Sequence, residues 1–390
     1  MLKPADRTSY NLQCTNELRP LEADWRALEA APQCTVHQTY DWCQGWITET
    51  GAKPLIISAT YTSGPRTGET AFILPLNISR IGPFRVATYI AASFNNSNFG
   101  VFDPGFLREA DADSMLEIRG QIAALPLGVD FIYLDRQPHH FRGCRHPFSY
   151  WPSLENQNHA FQVTLQGGFE AVLGRNNAKR RRKKFRTSER RLDELGGYDY
   201  VKAKSAEEAH ELLNAFFRQK AARFEQQGLP DVFSDARTKA FFHRLADESL
   251  EHEDCKQLEL CAIRLRERDE LLCAIAALST KGGEVICQFS SIAVGDTEYA
   301  SPGELLFYLV IHDACEAGAE VFDFGIGDEQ FKRSWCDVET VHYDTIIAIT
   351  LLGRVGALSA RAVTSLKRFI KSHPSAFRLA KAVRLRLTNG

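Results

Sequence analysis

The sequence predicts an α/β protein of two mixed domains with a short helical C-terminus, and three observations carry that expectation. The chain has 390 residues, more than one ordinary core accommodates. Hydrophobic residues make up 44% and charged residues 25%, the balance of a globular chain able to bury a sizeable core. Apolar or β-branched runs also alternate with segments of helical periodicity, most plainly between Gly283 and Trp335.

Taken in order, Trp25, Leu28, Trp42, Trp46 and Ile47 fall on helical segments, and strands follow near 54–62 and 71–78. A helix over 113–125, closed by Pro126 and Gly128, leads into the strand Phe131–Leu134. The polar loop from Asn95 to Gly100 can border a cleft, although no glycine-rich helix start accompanies it. Residues 137–158 read as the connection between two halves. Their His139, His140 and His146 stand at no metal-ligand spacing and read as loop residues. The second half opens on a short strand at 161–165, passes through a basic helix, and continues with a strand at 198–202. Helices at 206–224 and 235–250 and strands at 258–264 and 270–279 lead into the most informative stretch. The expected division is therefore 1–160, 161–350 and a basic helical tail, 351–390.

The net charge is only −2, but its distribution is uneven. Ten basic residues lie between Arg175 and Arg191 against the single acid Glu189, and no acid follows Asp344. The tail carries Arg354, Arg361, Lys367, Arg368, Lys371, Arg378, Lys381, Arg384 and Arg386. Two local basic faces on a nearly neutral protein point to anionic partners and away from a general nucleic-acid binder. The tail's apolar positions, from Leu358 to Ile370, suit packing on the second domain, with a surface-lying membrane helix as the alternative. Ten cysteines show neither a CxxC pair nor zinc spacing, so neither metal nor disulfides are expected. No apolar run approaches the roughly 20 residues of a spanning helix, and the N-terminal residues lack the apolar core of a signal peptide. A cytoplasmic protein is expected, with the tail allowing attachment at the inner face of a membrane.

From Glu284 to Ala293 the chain reads as a strand, and the polar segment after Gly295 opens a helix. Ser301 is expected as N-cap, Pro302 in the first turn, and Gly303 as a point where a ligand comes close. Unpaired N–H groups and a partial positive charge at such a start suit a diphosphate; the competing reading is a merely well-capped buried helix. A second strand ends in Gly325-Ile-Gly-Asp-Glu-Gln-Phe-Lys-Arg-Ser-Trp. Asp328 and Glu329, at the carboxyl end of that strand, are candidates for general base or amine orientation. Asp323, within the strand, suits a buried partner of Lys332 or Arg333. Lys332 and Trp335 suit pocket walls. For all three acids the competing reading is charge placement at a helix N-terminus.

Asn177-Ala-Lys-Arg with its basic run, Ser301-Pro-Gly-Glu-Leu-Leu, and Phe322-Asp-Phe-Gly through Trp335 together resemble the GNAT acyltransferases. The similarity is to the CelD/BcsL branch associated with cellulose synthesis and, more distantly, to Fem-type peptidyl transferases. It covers most of 162–344 and implies two tandem GNAT-like domains, the first without its cofactor site. It also implies acetyl-CoA or another acyl-CoA as co-substrate. The acyl carbonyl would be held by strand residues Ser291, Ile292 and Ala293, and the diphosphate by Ser301, Pro302, Gly303 and Glu304. The implied acceptor is a small molecule or a saccharide. Phe331 departs from the resemblance, standing where relatives often carry tyrosine, so no phenol there protonates a leaving thiolate. A Fem-like transfer from charged tRNA and a silent scaffold of a polysaccharide-synthesis complex are the competing functions.

Overall fold

The structure is a computed structural model that describes residues 8–175, 177–251, 255–267 and 271–373. The chain divides into two units: the residues up to His159 together with those from Val341, and Ala160–Thr340.

The first unit opens with β1 (Tyr10–Thr15), α1 (Glu22–Glu29) and α2 (Tyr40–Thr50), followed by β2 (Lys53–Tyr61), β3 (Thr70–Ile81) and β4 (Phe84–Tyr89). Next come β5 (Val101–Phe102), α3 (Pro104–Glu109), α4 (Ala112–Ala124) and β6 (Phe131–Pro138). The hairpin β7 (His140–Phe141) and β8 (Cys144–Arg145) precedes β9 (Ser153–Glu155). β3 is buried on both faces over Ala71–Leu76, as its apolar run demands of a central strand. α4 begins at a reciprocal cap: Asp111 accepts from the Ser114 N–H at 2.8 Å, and the Asp111 N–H donates to the Ser114 hydroxyl at 3.0 Å. His146 is a loop residue as expected, standing between β8 and the turn at Pro147–Tyr150, but it is not exposed. It lies buried against Phe99, Phe102 and Phe148, its Nδ1 accepting from the Phe148 N–H at 3.1 Å, because the surrounding aromatic side chains close over the segment.

β4 and β6 run parallel for three pairs, Val86 with Phe131 through Thr88 with Tyr133. Beyond them the polar loop does not border an open cleft. Arg136 donates to the Asn95 carbonyl at 2.6 Å, Asn98 donates to the Asp135 carbonyl at 2.9 Å, and Gln137 donates to the Tyr89 hydroxyl at 2.8 Å. Buried amides need partners, and here they find one another across the gap.

The second unit contains β10 (Ala160–Thr164), α5 (Gly168–Arg175), α6 (Ala178–Asp193), β11 (Tyr198–Lys202), α7 (Ala206–Gln226) and α8 (Ala236–Glu251). β12 (Cys255–Leu265), β13 (Leu272–Lys281), β14 (Glu284–Ile292), α9 (Pro302–Glu316), β15 (Val321–Ile326), α10 (Gln330–Trp335) and β16 (Val338–Thr340) complete it. Its seven strands are ordered β11-β12-β13-β14-β15-β10-β16. The core between sheet and α9 gathers Leu305, Leu306, Val310 and Ile311 against Ile263, Ala276 and Phe322.

The expected boundary at 350 is displaced, because β17 (His342–Ala348) belongs to the first sheet, ordered β1-β2-β3-β4-β6-β17-β9 with β5 beside β3. Its residues Thr345–Ala348 pair with Phe131–Leu134, so one apolar strand fills the place between β6 and β9. α11 (Leu351–Ser372), capped by the Thr350 hydroxyl on the Gly353 N–H at 2.9 Å, packs on this same sheet. Docking on the second domain through the apolar stripe is therefore corrected on both counts. The helix docks on the first unit and through small residues. A Cβ on Gly353 would stand 1.7 Å from the Asp130 carbonyl oxygen, and one on Gly356 would stand 2.6 Å from the Phe131 ring, so no larger residue fits. Pro374, Arg378, Lys381, Arg384 and Arg386 lie outside the described residues. Among the described residues no helix is long and apolar enough to cross a membrane.

Candidate functional site

β14 and β15 pair in parallel over only Glu284–Ile286 with Val321–Asp323. From Cys287 onward β14 keeps β13 as its partner while β15 departs, so two adjacent parallel strands splay apart. Such a wedge exposes one edge of β14 within the sheet, at the carboxyl ends where open α/β folds take ligands.

The residues expected to hold a cofactor sit at this opening but divide into different roles. The Ser291 hydroxyl donates to Gln219 Oε1 at 2.6 Å, and the Ala293 N–H donates to the Cys273 carbonyl at 2.9 Å, so both face internal partners. A Cβ on Gly303 would stand 2.7 Å from Ile292 Cδ1. This glycine lets helix and strand approach each other. The glycine with open space is Gly295, at φ +134° with nothing within 4 Å of its Cβ position. Ser301 does not cap the helix with its side chain; it adopts φ +55°, and its carbonyl accepts from the Glu304 N–H at 3.1 Å and from the Ser188 hydroxyl at 3.4 Å. Pro302 and Gly303 are buried.

The cover over this helix start is α6. Lys184 pairs with Glu304 at 2.8 Å, and Arg191 donates to the Tyr299 carbonyl. Arg181 turns inward and lays its guanidinium 3.7 Å above Trp335, and burial pulls its pKa down to about 10, with Glu304 opposing. The basic run is thus not a uniformly solvated face: one edge lines the entrance to α9. Asp296 and Glu298 stand in the loop leading to that entrance.

At the exit of β15, Asp323 is buried and accepts from the Gly325 N–H at 2.6 Å and from Gln162 Nε2 at 3.0 Å. Burial outweighs these bonds and the nearby Lys332, raising its pKa. Lys332, itself buried, donates to the Ile326 carbonyl at 2.8 Å and pairs with Glu329 at 3.0 Å. Asp328 is held from the outside by two bonds from Arg333, one of 2.8 Å. The carboxylates expected to act alike are therefore unlike: Asp328 is clamped by a guanidinium, while the partly exposed Glu329 rests on a buried ammonium. Phe331 stacks on Phe307 at 5.4 Å and packs on Phe324.

Residues 179–333 match the family described as an acetyltransferase (GNAT) domain. The chain carries a GNAT-fold acetyltransferase domain. It is an acyltransferase enzyme of this type. No curated protein matches the sequence. Among solved structures, FemX superposes with a TM-score of 0.60 at 14% identity, covering 89% of this chain and all of that one, 100%. L-PGS from Bacillus licheniformis gives a TM-score of 0.50 at 10% identity, covering 90% of this chain and 97% of that one. At these identities the likeness is one of fold, and it extends over both units.

Within the GNAT domain, sequence reasoning missed Lys220, Cys287 and Arg181. Lys220 lies on α7 with its Nζ 5.9 Å from the rings of both Phe216 and Phe224. Burial lowers its pKa, Arg223 and Lys332 push the same way, and Glu329 opposes. Cys287, where the strands part, is driven up to about 12 by burial, with Lys332 and Lys220 opposing. Of these charged neighbours, Lys332 and Glu329 are in direct contact at 3.0 Å, and Lys220 and Cys287 feel their charge. A lysine four residues from a phenylalanine on either side was the visible signal for Lys220. Nothing local distinguished Arg181 from its basic neighbours.

Proposed function

We propose that the GNAT domain moves an acyl group, acetyl in the simplest case, from acyl-CoA to an amine or hydroxyl acceptor. The observation that carries this reading is the wedge between β14 and β15 opening beside the α9 entrance, a strand edge and a cationic border meeting at one place. The exposed edge of β14 suits the acyl-pantetheine arm, and Gly295 with Lys184 and Arg191 suits the diphosphate. In the transfer the acceptor's nitrogen or oxygen bonds to the thioester carbon, the carbon–sulfur bond breaks, and the thiolate leaves. Glu329 is the better placed group to take the acceptor's proton, since Asp328 is engaged by Arg333. Phe331 has no proton to give, so a lysine ammonium or water must meet the thiolate. Lys220, whose ammonium burial makes the readier proton donor, is a candidate for that part. The resemblance to the CelD/BcsL branch favours a saccharide or exopolysaccharide precursor as acceptor.

A second reading, aminoacyl transfer from charged tRNA, is favoured by the likeness to FemX across both units and by the basic α6. Calorimetry against acetyl-CoA, longer acyl-CoAs and bulk aminoacyl-tRNA separates the two. Saturable binding of an acyl-CoA alone is expected. Binding of tRNA alone overturns the first reading for the second, and binding of neither favours a silent scaffold.

A further inference from the structure

The described residues contain fifteen exposed large apolar side chains, and seven of them lie on the single helix α11. Six of these, Leu351, Val355, Leu358, Val363, Leu366 and Phe369, are between 49% and 76% exposed, and Leu352 is the seventh. Leu351, Val355, Leu358, Leu366 and Phe369 recur at helical spacing and form one outward stripe. The opposite side carries Gly353, Gly356 and Ala357 and is used up in packing on the sheet. A helix docked by its small residues with its large apolar ones turned outward is inverted relative to ordinary surface helices, and a stripe of this extent marks an interaction face.

Charge decides what covers it. Arg354, Arg361 and Arg368 recur every seven residues along one edge of the stripe; Arg361 reaches the Ile346 carbonyl and Arg368 lies 3.6 Å from Glu155. The helix itself contains no acid. Joining two copies of this face would bring two all-basic helices together, at a cost in repulsion. An anionic lipid surface meets both demands: acyl chains take the leucines and phenylalanine, and headgroups take the cations. We infer that α11 lies in the plane of an anionic membrane surface with its outer stripe immersed, fixing the first unit there without a spanning segment.

Co-sedimentation of the full chain with phosphatidylcholine vesicles, with and without phosphatidylglycerol, tests this. Sedimentation with the anionic vesicles only, weakening as sodium chloride is raised, is expected. Neutralising Arg354→Gln and Arg368→Gln together should weaken partitioning about fivefold per charge. Leu358→Glu with Leu366→Glu should abolish it at an unchanged melting temperature, since neither residue touches the docked face. Absence of sedimentation with anionic vesicles overturns the inference. Sedimentation undiminished by the two glutamates also overturns it, placing the binding in the basic residues after 373. A dimer split by those glutamates, with no vesicle binding, overturns it in favour of a contact between copies.

Discussion

Two buried histidines should make the first unit sensitive to mild acid. His146 and His342 are 1% and 0% exposed, and burial depresses the pKa of each from 6.5 to about 3. For His146 the fixed geometry agrees, because Nδ1 already accepts the Phe148 N–H and the aromatic rings around it offer a proton no counter-charge. A group with a depressed folded pKa binds protons more readily in the unfolded chain. A histidine of this kind therefore gives stability that is fully present above about pH 6.5 and lost progressively as the pH falls toward 3. At pH 5 the loss is about 2 kcal/mol for each histidine, or about 4 kcal/mol for both. Asp344, whose pKa is raised by burial, acts in the opposite sense and offsets part of this. Urea unfolding followed by tryptophan fluorescence reads the first unit, since Trp25, Trp42, Trp46 and Trp151 lie there and only Trp335 lies in the second. Unfolding free energy should fall by roughly 2–4 kcal/mol between pH 7 and 5. His146→Gln should remove about half of that pH slope, whatever its own stability. Equal stability at both pH values, or an unchanged slope in the variant, would refute the reasoning.

Two further outcomes are expected. Glu329→Gln should lower turnover about a hundredfold at little cost to acyl-CoA affinity, while Asp328→Asn, which mainly loosens Arg333, should cost much less; equal losses on steady-state kinetics would return Asp328 to the chemistry. Gly356→Leu, which drives a side chain into Phe131 and Phe84, should cost roughly 1–3 kcal/mol or more and lower the melting temperature of the first unit. An unchanged melting curve would show that α11 does not rest on its small face.

Periodicity determined much of this protein. The strand 284–292, helix 302–316 and strand 321–326 were legible because each repeats its apolar residues at its own period over enough length to be unmistakable. Turn residues located α4 to within a residue, and α7 starts where expected and runs two residues further. The candidate site was legible as a segment, but its internal division of labour was not. That Gly303 sits against Ile292, and that Asp328 is clamped by Arg333, depends on what another element places opposite. Lys220 feels the charge of Lys332 and Glu329 only because α7 packs against β14, 112 positions before Lys332 in the chain. The same holds at the C-terminus. The apolar stripe of α11 is plain in the letters and reads there as a buried face. The sheet offers so close an approach at Asp130 and Phe131 that only Gly353 and Gly356 fit, and steric exclusion, not hydrophobicity, turns the leucines outward.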